Sequence, residues 1–203
     1  VTGIVMFLLA LFVAFIMIVP FVWMVSASFK LKKEIFSVPI RWIPETFHMD
    51  NYETIMQKIP FPRYFFNTFK LTVSITALQV ITCSMAAFAF SKLHFPGRDK
   101  LFLAYLGTMM VPWTAGIIPW FIMMSKLGWL NSFQALIIPS CANAFGIFWM
   151  RQYCQNNVPV SLIEAARIDG CSEWTIFFRV IAPILKPAYA SLGIMQFVNV
   201  WND

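Results

Sequence analysis

Hydrophobic residues along this chain fall in long unbroken runs, not in the spaced stripes of a soluble fold. Gly3–Phe29 contains no Asp, Glu, Lys, Arg or His, and neither do Leu71–Ser91, Leu101–Ser125 or Ser132–Met150. A fifth run opens near Pro183 and continues to the C-terminus. A helix needs roughly 20 apolar residues to cross a bilayer. The pattern therefore predicts an all-α membrane protein, a multi-span helical bundle. Its spans are expected at about residues 3–29, 66–91, 100–125, 132–152 and 183–203, all in a single transmembrane domain covering 1–203. Two long polar segments interrupt them, 30–65 and 153–182.

Composition agrees with this reading: 60% of residues are hydrophobic and 12% charged, about half the charged fraction of a soluble domain. The first run lacks a basic n-region and a small-residue cleavage site, so it reads as a span and not as a signal peptide. The chain begins at Val1 and is expected to lack some N-terminal sequence. Cys83, Cys141, Cys154 and Cys171 have no metal-ligand spacing and read as packing residues. The net charge of +6 reads as loops beside lipid headgroups, and no nucleic-acid partner is expected.

Sidedness rests on a close balance. Segments 30–65 and 92–100 flank one span and so lie on opposite sides. The first holds six Lys and Arg residues; the second holds Lys92, Arg98 and Lys100, and 153–182 on its side adds Arg167 and Arg179, flanked by Arg151 and Lys186. Short loops near span ends weigh most in the positive-inside rule. Segments 92–100 and 153–182 are therefore expected in the cytoplasm.

The strongest local signal is Pro159-Val-Ser-Leu-Ile-Glu-Ala-Ala-Arg-Ile-Asp-Gly170. Ser161 and Glu164 have capping-box spacing, which predicts a helix over about Leu162–Asp169. Gly170 suits the left-handed residue that ends it. Ser172 is expected to cap a second short helix, with Glu173 in its first turn. That helix carries Trp174, Phe177, Phe178 and Ile181 and is expected to close at Pro183. Ala165 and Ala166 leave a shallow place on the first helix, with Glu164 and Arg167 offering charged hydrogen bonds around it. These residues alone do not choose between a helix lying on the membrane and a site where a protein docks.

Glu164-Ala165-Ala166, three residues, Gly170, nine residues and Val180-Ile-Ala-Pro183 resemble the cytoplasmic EAA loop of ABC importer permeases. That loop usually ends I-x-L-P; Val180 and Ala182 are mild departures and the spacing is kept. Ala87–Asp99, Met124–Ser132, Ser28-Phe29-Lys30 and Phe197…Trp201-Asn202-Asp203 resemble the carbohydrate-uptake branch, the MalG/AraQ/UgpE-like type. The resemblance implies the MetI-like transmembrane domain of type I importers. It also implies a homologous second permease subunit, two ATPase subunits that bind ATP and Mg, and an extracytoplasmic solute-binding protein. This chain would hold no cofactor or metal and would carry no catalytic residue. Ser161, Glu164, Ala165, Ala166, Arg167, Asp169, Gly170 and Pro183 would form the ATPase-coupling loop, and 30–65 would be extracytoplasmic. Such permeases have six spans, so truncation in or after the fifth span is expected here.

The implied mechanism is alternating access, with spans three to five, bent at Pro112, Pro119, Pro139 and Pro187, transmitting movement of the loop. The main rival is an ion-coupled secondary transporter. Such proteins commonly keep ionisable residues inside spans, which the four complete spans here lack away from their ends. A membrane enzyme is disfavoured because His48 and His94 stand alone in loops and no Walker A pattern is present. Gln79, Ser84, Thr108, Asn143 and Asn199 are either path-lining residues or interhelical glue. The sugar itself is not legible.

Overall fold

A computed structural model describes residues 2–203. Its contacts divide the chain into two compact units, Val1–Phe65 and Phe66–Asp203. Among the described residues the regular structure is entirely helical.

The first unit opens with α1, Thr2–Ser28, which carries Pro20 within it. No residue in the most apolar stretch of α1 is buried, as suits a helix whose solvent is lipid. The polar segment that follows is held by specific contacts. It contains α2, Lys32–Ile35, and α3, Asp50–Lys58. Lys30, only 1% exposed, holds it in place. Its ammonium donates to the carbonyls of Arg41 and Trp42 and lies 4.4 Å from the centre of the Trp23 ring. The Asn51 amide donates to the Ser28 and Lys30 carbonyls at 2.9 and 3.0 Å.

The second unit is built on α4, Phe61–Lys92, whose first residues precede the unit boundary. Beyond the Pro96-Gly97 turn come α5, Arg98–Gly107, a 3-10 turn, Thr108–Met110, and α6, Trp113–Lys126. The expected third span is thus two helices bent by 101°, with Pro112 at the break. Pro119 lies inside α6 without interrupting it, so only one of these two prolines marks a bend. The expected fourth span is also interrupted. It comprises α7, Phe133–Ile137, a 3-10 turn begun by Pro139, and α8, Ala144–Asn157.

After α8 come α9, Val160–Ile168, α10, Glu173–Ile176, a π-helical turn, Phe177–Ile181, α11, Ala182–Ile184, and α12, Lys186–Trp201. The chain bends by 77° between Glu173–Ile184 and Lys186–Trp201, just ahead of Pro187. Among the described residues, three helices are long and apolar enough to cross a membrane, or up to five if each bent pair forms one span.

One core joins these helices. Cys83, Ala87 and Phe88 of α4 meet Phe102 of α5 and Ile147, Met150 and Cys154 of α8. Ile163, Ile176, Ile181, Leu185 and Leu192 complete it from the later elements. Gly146 permits the closest approach: a Cβ there would lie 2.8 Å from the Cys83 sulfur.

Candidate functional site: the α9 loop and its seat

The loop forms as two short helices, but α9 begins earlier than its capping-box pattern suggests. Pro159 is the N-cap, extended at φ −62° and ψ 137°, with no side-chain cap. Its carbonyl accepts from the Leu162 amide at 3.3 Å. Proline suits a helix start, since its φ is preset and it lacks an N–H that would be unpaired there. Ser161 consequently falls inside the first turn and caps nothing, so the expected Ser161–Glu164 box does not form. Glu164 is left exposed with no hydrogen bond or ion pair among the described residues.

The other end of α9 matches expectation. Gly170 has φ +77°, where any side chain would be strained. Its amide donates to the Arg167 carbonyl, and the Cys171 amide to the Ala166 carbonyl, both at 3.0 Å. This pair of bonds is the Schellman motif. Ser172 then caps α10 by accepting from the Thr175 amide at 3.3 Å, with Glu173 in the first turn.

Arg167 does not face outward as a free donor. Its Nε donates to Glu173 Oε1 at 2.8 Å, tying the last turn of α9 to the first turn of α10. The small-residue pair is split as well. Ala166 is buried in the core beside Ile163, while Ala165 is exposed. Helical geometry explains the split: positions 163 and 166 share the inward face. Ile163, 1% exposed, contributes about 1.5–3 kcal/mol to holding α9 down by burial. The outward face is Glu164, Ala165, Ile168 and Asp169, with Ile168 86% exposed.

Pro183 does not close the second helix. The π turn carries the chain into α11, where Pro183 occupies the first turn and its missing N–H is harmless. The bend falls afterwards, around Leu185. Of the four apolar residues expected to act together, Phe177 and Ile181 are buried. Trp174 and Phe178 are exposed and stack on each other with centroids 6.3 Å apart.

The seat beneath α9 is the part the sequence reading missed. The ends of α4 and α8 meet there through three polar contacts. Arg151 Nε donates to the Phe90 carbonyl at 3.2 Å. The Ser91 hydroxyl donates to the Cys154 sulfur at 3.1 Å. Lys92 Nζ donates to the Val158 carbonyl at 2.5 Å. Lys92 is 8% exposed, and no carboxylate pairs with it among the described residues. Burying an unpaired ammonium costs several kcal/mol, about the range of other buried ions. Arg151 also lies 4.1 Å from the centre of the Phe102 ring and 3.8 Å from Asp99. Hydrogen bonding from Arg98, with the charge of Arg151 behind it, holds the Asp99 carboxyl below its ordinary range. A lysine closing a helix at its last position, opposite another helix's C-terminus, was the available signal.

Of Gln79, Ser84, Thr108, Asn143 and Asn199, the first ties two elements together through its side chain, and the others bond locally or face outward. Gln79 Nε2 donates to the Ser140 carbonyl at 2.6 Å, and Asn143 caps α8 by accepting from the Gly146 amide at 2.8 Å. Ser84 bonds to a carbonyl of its own helix and Thr108 to the Tyr105 carbonyl of the preceding α5, and Asn199 is exposed.

Long apolar helices, three interrupted spans and a short helix that follows the joined ends of α4 and α8 define a membrane-embedded helical bundle. A family model described as the binding-protein-dependent transport system inner membrane component matches residues 2–203, and the chain belongs to that family. It is 33% identical over 190 residues to the lactose transport system permease protein of Rhizobium radiobacter, covering 94% of this chain and 68% of that protein. It is also 33% identical over 195 residues to the arabinooligosaccharides transport system permease protein of Halalkalibacterium halodurans, covering 95% and 70%. A crystal structure of a bacterial ABC transporter involved in importing the acidic polysaccharide alginate superposes with a TM-score of 0.84 at 28% identity, covering 98% of this chain and 70% of that one.

Proposed function

We propose that this chain is a permease subunit of an ATP-driven importer for a sugar or sugar derivative, and that α9 is its coupling helix. The observation that carries the reading is the outward face of α9. It is short, capped at Gly170, anchored by Ile163 and Ala166, and presents Glu164, Ala165, Ile168 and Asp169, whose side chains make no polar contact among the described residues. An exposed isoleucine beside an alanine and two carboxylates suits a cleft on another protein better than water. The sugar assignment is supported by the relatives, whose names specify lactose and arabinooligosaccharides.

In this reading two ATPase subunits bind ATP and Mg and receive α9 and its counterpart on a second, homologous permease. A solute-binding protein delivers sugar on the far side of a bacterial cytoplasmic membrane, which the chain crosses several times. Segment 30–65 lies outside; 92–100 and 153–182 lie in the cytoplasm. ATPase closure moves α9, and the bent spans carry that movement to the pathway as alternating access.

The test is simultaneous measurement of uptake and ATP hydrolysis by the assembled transporter. Glu164→Lys, or Gly170→Val, is expected to cut uptake at least tenfold, the scale of about 1.4 kcal/mol, while the subunit still accumulates in the membrane. Unchanged uptake by both variants would remove α9 from the coupling role.

A further inference from the structure

We propose that Lys92 and Arg151 are positioning residues that lock α4 and α8 into one block beneath α9, so that movement of α9 reaches both helices together. The proposal rests on α9 being the coupling helix.

The two contacts are reciprocal. Phe90 lies in the last turn of α4, where helix carbonyls have no intrahelical partner, and Arg151 of α8 supplies the donor. Val158 is the C-cap of α8, and Lys92, the last residue of α4, supplies the donor there. Each helix end is thus closed by a cation from the other, in the orientation the helix dipole favours. Ser91 and Cys154 touch between them.

The location makes the lock relevant to transport. Val158 stands one residue before Pro159, the N-cap of α9. Val158 is 2% exposed and belongs to the same core as Ile163 and Ala166 of α9. A push on α9 therefore reaches the α8 terminus through the chain and the α4 terminus through Lys92. Without Lys92, the ends of α4 and α8 keep their apolar contacts but lose the bond nearest the point of loading.

The test uses the complete transporter, with its partner permease, ATPases and binding protein, in proteoliposomes. Lys92→Met keeps the apolar stem and removes the ammonium. Its uptake per ATP hydrolysed is expected to fall at least fivefold, with hydrolysis itself within about twofold of the parent. Lys92→Arg, which restores a cationic donor, is expected to recover most of that ratio. Ser91→Cys adds a covalent replacement, since the Ser91 oxygen already lies 3.1 Å from the Cys154 sulfur. In the K92M background, oxidation of that thiol pair by copper phenanthroline is expected to restore the ratio, and dithiothreitol to abolish the recovery.

An unchanged ratio in K92M overturns the proposal. So does a loss that neither K92R nor the disulfide repairs. If K92M does not assemble, Arg151→Gln opens the other half of the lock and is judged by the same ratio. Docking is read separately, by crosslinking Ala165→Cys to the ATPase subunits in the parent background. An absent crosslink there removes the reading of α9 itself, whereas a crosslink with an unchanged K92M ratio removes only the lock.

Discussion

Gly146 shows how much one missing methyl group matters in this bundle. Its absent Cβ leaves room for the Cys83 sulfur, which would otherwise stand at 2.8 Å, with a Leu192 methyl at 3.6 Å. Cys83 is fully buried, and its thiol already faces the Asn143 carbonyl at 3.7 Å. Gly146→Ala is therefore expected to destabilise the subunit by about 1–3 kcal/mol through overpacking. Thermal unfolding of the detergent-purified protein would show a midpoint lower by several degrees, about 2–4 °C per kcal/mol at this size. Cys83→Ala makes room, so G146A should cost much less in that background. An equal loss in both backgrounds would place the cause elsewhere. Gly170 differs in kind, since nothing lies near its absent Cβ and its constraint is the positive φ alone. The sequence motif marks Gly170 through its helix-ending role, but nothing local marks Gly146, because a close approach depends on a partner helix about sixty residues away.

At the scale of elements, the interruption between α7 and α8 illustrates how a broken span survives in lipid. Three side chains on one face of α4 meet the exposed backbone. Gln79 donates to the Ser140 carbonyl, Thr82 to that of Cys141, and the Cys83 thiol to that of Asn143. Unpaired carbonyls within hydrocarbon cost several kcal/mol, roughly, which is why broken helices occur only where other groups satisfy them. Gln79→Leu is therefore expected to lower stability by about 1–3 kcal/mol, and Asn143→Ala by about 1 kcal/mol through loss of the α8 cap. Both are checked by thermal unfolding. If Q79L abolished uptake with no change in stability, Gln79 would belong to the solute path and not to the break. Apolar composition continues straight through the 101° and 77° bends, and only the prolines point to the breaks. Pro112, Pro139 and Pro187 stand at or beside interruptions, whereas Pro119 sits in continuous helix. Capping logic had mixed success for a related reason. Ser172 caps as its position suggests, whereas Pro159 starts α9 early and turns Ser161 into an interior residue.

For the whole molecule, the membrane class was legible because lipid leaves helices few ways to satisfy their backbones, whereas the sidedness read from charge rests on a close balance of basic residues between the loops. Packing adds an independent constraint. The C-terminal ends of α4 and α8 meet through Lys92 and Arg151, so the loops that follow them emerge on one face of the second unit. Charge then has only to decide which compartment that face meets. The short 92–100 turn, with Lys92, Arg98 and Lys100, favours the cytoplasm under the positive-inside rule. This yields a direct expectation for intact cells. In a background where the four native cysteines are replaced, Asp50→Cys, at a side chain 84% exposed, should react with a membrane-impermeant maleimide added outside. Lys100→Cys, also exposed, should react only after the cells are permeabilised. The reverse pattern would invert the topology and put α9 on the side without ATP. Labelling of both positions from outside would break the assignment of α4 as a span. Either outcome would remove the physical basis for reading α9 as the contact with an ATPase, however well its sequence fits that role.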